Sequence, residues 1–369
     1  MTRYALVSFF VFASSLFIAP AWSQDKGKIA YTDPAEADAD FAYQGEFTNR
    51  GWGLQVVAQG DGKFIGVLYR GGLPGAGWDR QTSTKLEGKL TDDAVLLEGE
   101  DTNVSVHRSY ADLLDGNGRI FVRLARWIRV SSTLGLRAPH KAEVLFNGTD
   151  AEQFTNGKLT DDGLLRMGAS TKAKVGDFRL HLEFRTPYMP HARGQGRANS
   201  GVYIQQRYEV QILDSFGLEG VENECAGLYK QQRPAVNMAL PPLTWQTYDI
   251  WFQQPRWSDD GKTKVEPAMI TVLHNGVPVH WFHAIENKTG GGKPEGPEEF
   301  PIALQDHGNP VVFRNVWMVP GQGLYPLNVA RASTPRGSTN RTTSVQRSSV
   351  TTPVCCSPRR VPRLLRRCR

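Results

Sequence analysis

Acid, amide and guanidinium side chains at strand spacing are the groups in this sequence most able to do chemistry. Glu209 and Gln211 stand two apart in Tyr208-Glu209-Val210-Gln211-Ile212, and Glu183 and Arg185 do the same at the end of a run that starts at Phe178. The positions between them are apolar, so a period of 2 puts each polar pair on one strand face and the apolar set on the other. Gln305, Asp306 and His307 follow one another at the end of an apolar stretch, and Asn199 precedes Ser200-Gly201. A carboxylate or an imidazole is a general base, amides and guanidinium grip carbonyl and hydroxyl oxygens, and carboxylates with an imidazole hold a divalent cation. If the polar faces of the Glu183 and Glu209 strands adjoin in one sheet, they line a groove.

The elements that must position these groups read as short strands. Residues 178–185, 202–205 and 208–213 are strands, and the Pro/Gly/Arg-rich stretch 186–201, with His191, is a basic loop. Strands at 247–253 and 268–273 follow. His274-Asn275-Gly276 is a tight hairpin into 277–282, and runs at 302–305 and 311–318 close the unit. A separate β-rich unit spans 41–137, with a hairpin at Gly60-Asp61-Gly62 and further strands at 94–98, 104–108 and 120–130. Its Gly71–Gly77 loop lacks the GxxxxGK[ST] order of a phosphate cradle and reads as a turn. Many short strands, glycine and asparagine turns and almost no helical period predict an all-β protein: a sandwich or jelly roll preceded by a smaller β-rich domain.

Length and charge bound the rest. The chain has 369 residues, 40% hydrophobic and 10% aromatic, enough for two folded domains. Its formal charge is +6, yet 331–369 holds ten arginines and no acid or lysine, so the remainder stands at −4. A specific nucleic-acid partner is therefore not expected. The tail 320–369, rich in Ser, Thr, Pro and Arg, is expected to be disordered, either a basic extension or a non-native reading frame. Arg3, the apolar run 5–21 and Ala21-Trp22-Ser23 fit a signal peptide over 1–23, which implies a periplasmic or secreted protein with no membrane span after cleavage. Residues 24–40 read as a linker. Cys225 is the one cysteine outside the tail, so no disulfide framework or CxxC metal site is expected, and it reads as a small buried hydrophobe.

Several motifs occur in a fixed order: Leu145-Phe146-Asn147-Gly148, Gly176-Asp177-Phe178, Glu183-Phe184-Arg185, Ala198-Asn199-Ser200-Gly201-Val202-Tyr203, Tyr208 to Asp214, Trp245 to Ile250, His274-Asn275-Gly276, Leu304 to Gly308 and Phe313 to Trp317. As an ordered set over residues 143–319, within a unit taken to span 138–319, they resemble the 3-keto-disaccharide hydrolase domain, a concanavalin-like jelly roll similar to laminarinase-type glucanases. The unit before it resembles a small β domain often found there. The resemblance implies a carbohydrate substrate oxidised at C3. A C3 keto group acidifies the C2 hydrogen, so a base can start an elimination that expels the anomeric oxygen, with hydration following. In that chemistry Glu209 and His307 are the candidate bases, and Arg185, Asn199, Gln211, Gln305 and Glu183 the candidate substrate ligands. Glu209, Asp306 and His307 are the alternative ligands of a possible divalent metal.

Other readings stay open. A retaining glycosidase needs a second carboxyl ~5–5.5 Å from the first; Leu213 occupies the next position on the Glu209 face, and Asp214 points to the other face of an unbulged strand. A non-catalytic carbohydrate-binding module needs only a polar groove and aromatic platforms, for which Trp245, Trp251 and Trp317 are candidates, although such tryptophans are more often core. Glu183 and Arg185 serve equally well as a cross-strand pair, and Asp214 as a turn cap. The oligomeric state is not legible.

Overall fold

The computed structural model describes residues 25–323. The expected signal segment and the tail beyond 323 lie outside them, with Cys355, Cys356 and Cys368. Among the described residues no helix is long and apolar enough to cross a membrane.

The first unit is a closed meander barrel of β1 (Gly45–Asn49), β2 (Gly51–Gly60), β3 (Lys63–Gly71), β4 (Ser83–Leu90), β5 (Val95–Glu98), β6 (Asn103–Val106), β7 (Tyr110–Leu114) and β8 (Ile120–Trp127), with β8 pairing back to β1. Closure leaves no edge strand to be capped. Alternate residues such as Phe47, Leu54, Val56, Leu97 and Leu113 fill its core. The β2–β3 turn puts Asp61 and Gly62 at positive φ, as the hairpin signal predicts. The Gly71–Gly77 loop is a self-bonded turn, its Ala76 and Trp78 N–H groups both donating to the Leu73 carbonyl.

The second unit is a β-sandwich. Its strands are β9 (Glu143–Phe146), β10 (Phe154–Thr155), β11 (Leu165–Arg166), β12 (Ser170–Thr171), β13 (Phe178–Arg185), β14 (Ser200–Ile204), β15 (Tyr208–Ile212), β16 (Gln246–Gln253), β17 (Arg256–Trp257), β18 (Lys264–Glu266), β19 (Ala268–His274), β20 (Val277–Ile285), β21 (Ala303–Leu304) and β22 (Val312–Pro320). One sheet runs β10-β12-β21-β14-β15; the other runs β11-β22-β13-β16-β19-β20, with β9 also on β22, and β17–β18 is a separate hairpin. Between the sheets lies one apolar layer, in which Leu180, Leu182 and Phe184 of β13 meet Val202, Val210 and Ile212 of the opposite sheet. Their burial at about 25 cal/mol per Å² is what holds the two sheets together.

This layering corrects the groove expected from the sequence. β13 and β15 belong to different sheets, and each turns its apolar face to the shared core. Their polar faces therefore look out on opposite sides, and Glu183 and Arg185 cannot line the face that carries Glu209 and Gln211. The described part of the expected 24–40 linker, residues 25–40, makes contacts of its own. Tyr31 exchanges main-chain hydrogen bonds of 2.9 Å with Tyr188, and an Asp40 carboxylate oxygen accepts from Gly62 N at 2.9 Å, so the segment straps sandwich loop and barrel together.

Candidate functional site

Register builds the site. In the β14–β15 hairpin Gly201 faces Gln211 and Tyr203 faces Glu209, and β21 continues the sheet with Tyr203 opposite Ala303. Directly opposed residues share a face, so Asn199, Gly201 and Tyr203 stand beside Gln211 and Glu209, with Gln305 next to Gly201. Gln305 N donates to Gly201 O at 2.8 Å. The structure thus assembles Glu209, Gln211, Asn199 and Gln305 from the sequence candidates.

Glu209 is 3% exposed. Its side chain lies over Gly201, where a Cβ would come within 2.4 Å of Oε1, so the absence of a side chain there makes room for the carboxyl. Main-chain atoms of Glu209 are pinned on both sides: its N–H donates to Thr289 Oγ1 at 3.0 Å and its carbonyl accepts from Tyr229 N at 3.2 Å. Burial raises the carboxyl to about 7, opposed only by a hydrogen bond from Tyr203; no other charged group contributes. A carboxyl poised near neutrality, beside a phenol and amides, is suited to take up and return a proton. Burial and the neighbouring carboxyl in turn push the Tyr203 phenol up, so it stays a donor.

The amides form a second layer. Gln211 Nε2 donates to Gln195 Oε1 at 3.0 Å, and Asn199 Nδ2 donates to the same oxygen at 3.2 Å. Gln195 sits on the loop after β13, in a short 3-10 turn. Periodicity gives no signal for it, whereas Tyr203, also missed, follows from alternation with Asn199 and Gly201.

The other candidates are placed elsewhere. Asp306 Oδ1 caps Gly308 N at 2.8 Å in a turn where Asp306 and His307 are exposed. Among the described residues no three His, Cys, Asp or Glu side chains converge to hold a metal, so Glu209, Asp306 and His307 do not form a ligand set. Glu183 lies on the far face. Its carboxylate accepts from Gly135 N at 2.6 Å, Arg314 Nε at 2.7 Å and Asn315 Nδ2 at 2.9 Å. Burial pushes it up, but His181 and these donors outweigh that and bring it to about 2. This is a structural anchor for the 131–137 connector. Arg185 stacks on the Trp245 ring at 5.2 Å and borders a cleft with Asp33, Asp162 and Arg166. Trp251 and Trp317 flank Arg179 on that same far face, so none of the three tryptophans lies beside Glu209. Asp214 accepts from Arg197 Nε at 2.7 Å and Phe216 N at 3.2 Å, capping its turn. Cys225 is fully buried, 3.2 Å from Tyr248 Oη, and burial pushes its thiol up to about 11.

The loop that supplies Gln195 is moored to the barrel. Tyr188 is fully buried in the barrel core and donates through its hydroxyl to Asp38 Oδ1 at 3.0 Å. Arg193 Nη2 donates to Gln59 O at 2.8 Å, and His191 packs on Gly60 so closely that a Cβ there would meet its ring at 2.4 Å.

Comparison with known proteins bears on the sandwich. The 3-keto-alpha-glucoside-1,2-lyase-like domain model matches residues 141–319. A solved structure named as a candidate glycosyl hydrolase of Parabacteroides distasonis ATCC 8503 is 31% identical, with 50% of this chain and 85% of that chain covered and a TM-score of 0.45. Another so named, from the same organism, is 23% identical over 48% of this chain and 98% of that one, with a TM-score of 0.35. Among curated proteins none matches. Through residues 141–319 this chain belongs to the 3-keto-alpha-glucoside-1,2-lyase-like domain family.

Proposed function

We propose that the protein is an exported glycosyl hydrolase acting on 3-keto-glycosides, with Glu209 as the base. The observation that carries this is the buried Glu209 carboxyl, held near pKa 7 on a face of amides and a phenol. Ionised Glu209 removes the C2 hydrogen as a proton, and the electron pair of that bond enters the C3 carbonyl as an enolate. Collapse of the enolate restores the ketone, forms a C1–C2 double bond and breaks the bond from C1 to the glycosidic oxygen, which leaves with a proton. Protonated Glu209 is the nearest donor for it. Water adding across C1 and C2 completes hydrolysis.

A retaining mechanism would need a second carboxyl beside the first. Asp214 is engaged by Arg197 and Glu183 faces the other side of the sandwich, which favours the elimination route. Released 3-keto sugar should be followed for the intact protein with 3-keto-glucosides and their unoxidised counterparts. Cleavage of the oxidised substrates alone, reduced at least about 100-fold in Glu209→Gln, is the expected result. Cleavage of ordinary glucosides at a similar rate refutes the proposal.

A further inference from the structure

We infer that Gln195 is a positioning residue that fixes the hydrogen-bonding sense of the Glu209 face, so that its amides accept from sugar hydroxyls. The inference rests on the reading of that face as a sugar site. Gln195 Nε2 donates to the Asn223 main-chain carbonyl at 2.7 Å. A carbonyl only accepts, so that end of the Gln195 amide must be its NH2 group and the other end its oxygen. That oxygen in turn requires donors, and it meets Gln211 Nε2 and Asn199 Nδ2. Asn199 is fixed a second time, because its Nδ2 also donates to the Gln195 main-chain oxygen at 2.8 Å.

The consequence appears at the opposite end of each amide. With both NH2 groups turned to Gln195, Asn199 Oδ1 and Gln211 Oε1 are left buried without a hydrogen-bond partner, in residues 2% and 1% exposed. Gln305 Oε1, on the same face, is buried and unpartnered as well. Buried acceptors without donors are costly, and a ligand that brings donors relieves that cost. Hydroxyl groups do so. Keto and glycosidic oxygens only accept and gain nothing there. The ligand class is a neutral sugar ring with free hydroxyls, read by acceptors set through one loop glutamine.

Fluorine replaces a hydroxyl at nearly equal size but cannot donate, which makes fluoro sugars the probe. Binding of a 3-keto-glucoside and of its 4-fluoro and 6-fluoro analogues is measured calorimetrically on the full chain carrying Glu209→Gln, with and without Gln195→Ala. With Gln195 present, at least one fluoro analogue should bind about tenfold more weakly than the hydroxylated sugar. Gln195→Ala frees the amides to turn, and the ratio should fall to about twofold. A thermal melt of both proteins shows that each is folded. An undiminished ratio in Gln195→Ala, or no discrimination with Gln195 present, overturns the inference, as does a failure of the hydroxylated 3-keto-glucoside to bind. If the chain with Glu209 restored cleaves no keto sugar while the Gln195-dependent ratio is observed, the hydrolase reading fails and this inference stands.

Discussion

Glu209 occupies a position whose chemistry conflicts with stability. Unfolded, its carboxyl ionises near 4.5; folded, burial delays ionisation to about 7. The raised value means that its contribution to stability is full below the unfolded pKa and is lost as pH rises through the folded one. Glu209→Gln removes that loss. The variant should therefore gain stability over the parent between pH 5 and 8, by at most about 3 kcal/mol, read from melts across that range. A gain that does not grow with pH contradicts the assigned burial effect. In turnover, the acid limb of kcat/KM should fall below about pH 7, because the base must be ionised. Alternation and the ordered motifs pointed to Glu209 in the sequence. They could not reveal the contacts that pin it, because Thr289 and Tyr229 are brought in from other segments.

The β14–β15 hairpin is the element that makes the site. Its alternation was legible, and so was the face shared by Glu209 and Gln211. The turn was not: Gln205 and Gln206 both adopt positive φ without glycine or asparagine. Gln205 is held there by hydrogen bonds from its Nε2 to Val175 O at 2.7 Å and Gln254 Oε1 at 3.0 Å, long-range contacts that no local pattern carries. Nor does period 2 state which sheet a strand joins, so alternation does not separate Glu183 and Arg185 from Glu209, although β13 lies in the opposite layer. Gly201 offers a test of the hairpin face. Its φ is not in the left-handed region, so alanine is tolerated by the backbone, but the new Cβ would stand 2.4 Å from Glu209 Oε1. Gly201→Ala should displace the carboxyl and lower kcat about 10–100-fold, since catalysis is sensitive to misplacement of about 1 Å. Unchanged kcat in a folded variant would show that the Glu209 side chain does not act from this pose.

At the scale of the molecule, the barrel buttresses the site loop. Composition and turns disclosed a separate β-rich unit, but nothing local connected it with the loop that carries Gln195. The connection is made by Tyr188, a sandwich-loop residue buried in the barrel core, and by Arg193 and His191 on the β2–β3 end of the barrel. Tyr188→Phe deletes only the hydroxyl bond to Asp38 and should cost about 1 kcal/mol. Tyr188→Ala should cost about 3–5 kcal/mol. It should also raise KM in the fraction that remains folded, because the loop holding Gln195 loses its mooring. Equal KM values for the two folded variants would separate the barrel from the site.

The central claim is that bond cleavage begins at C2, with Glu209 as base. It is tested most directly by the fate of deuterium placed at C2 of a 3-keto-glucoside cleaved in ordinary water. The account predicts that the released 3-keto sugar has lost that deuterium as soon as it is formed, and that Glu209→Gln neither releases sugar nor exchanges the label. Released sugar that keeps its C2 deuterium would contradict the elimination.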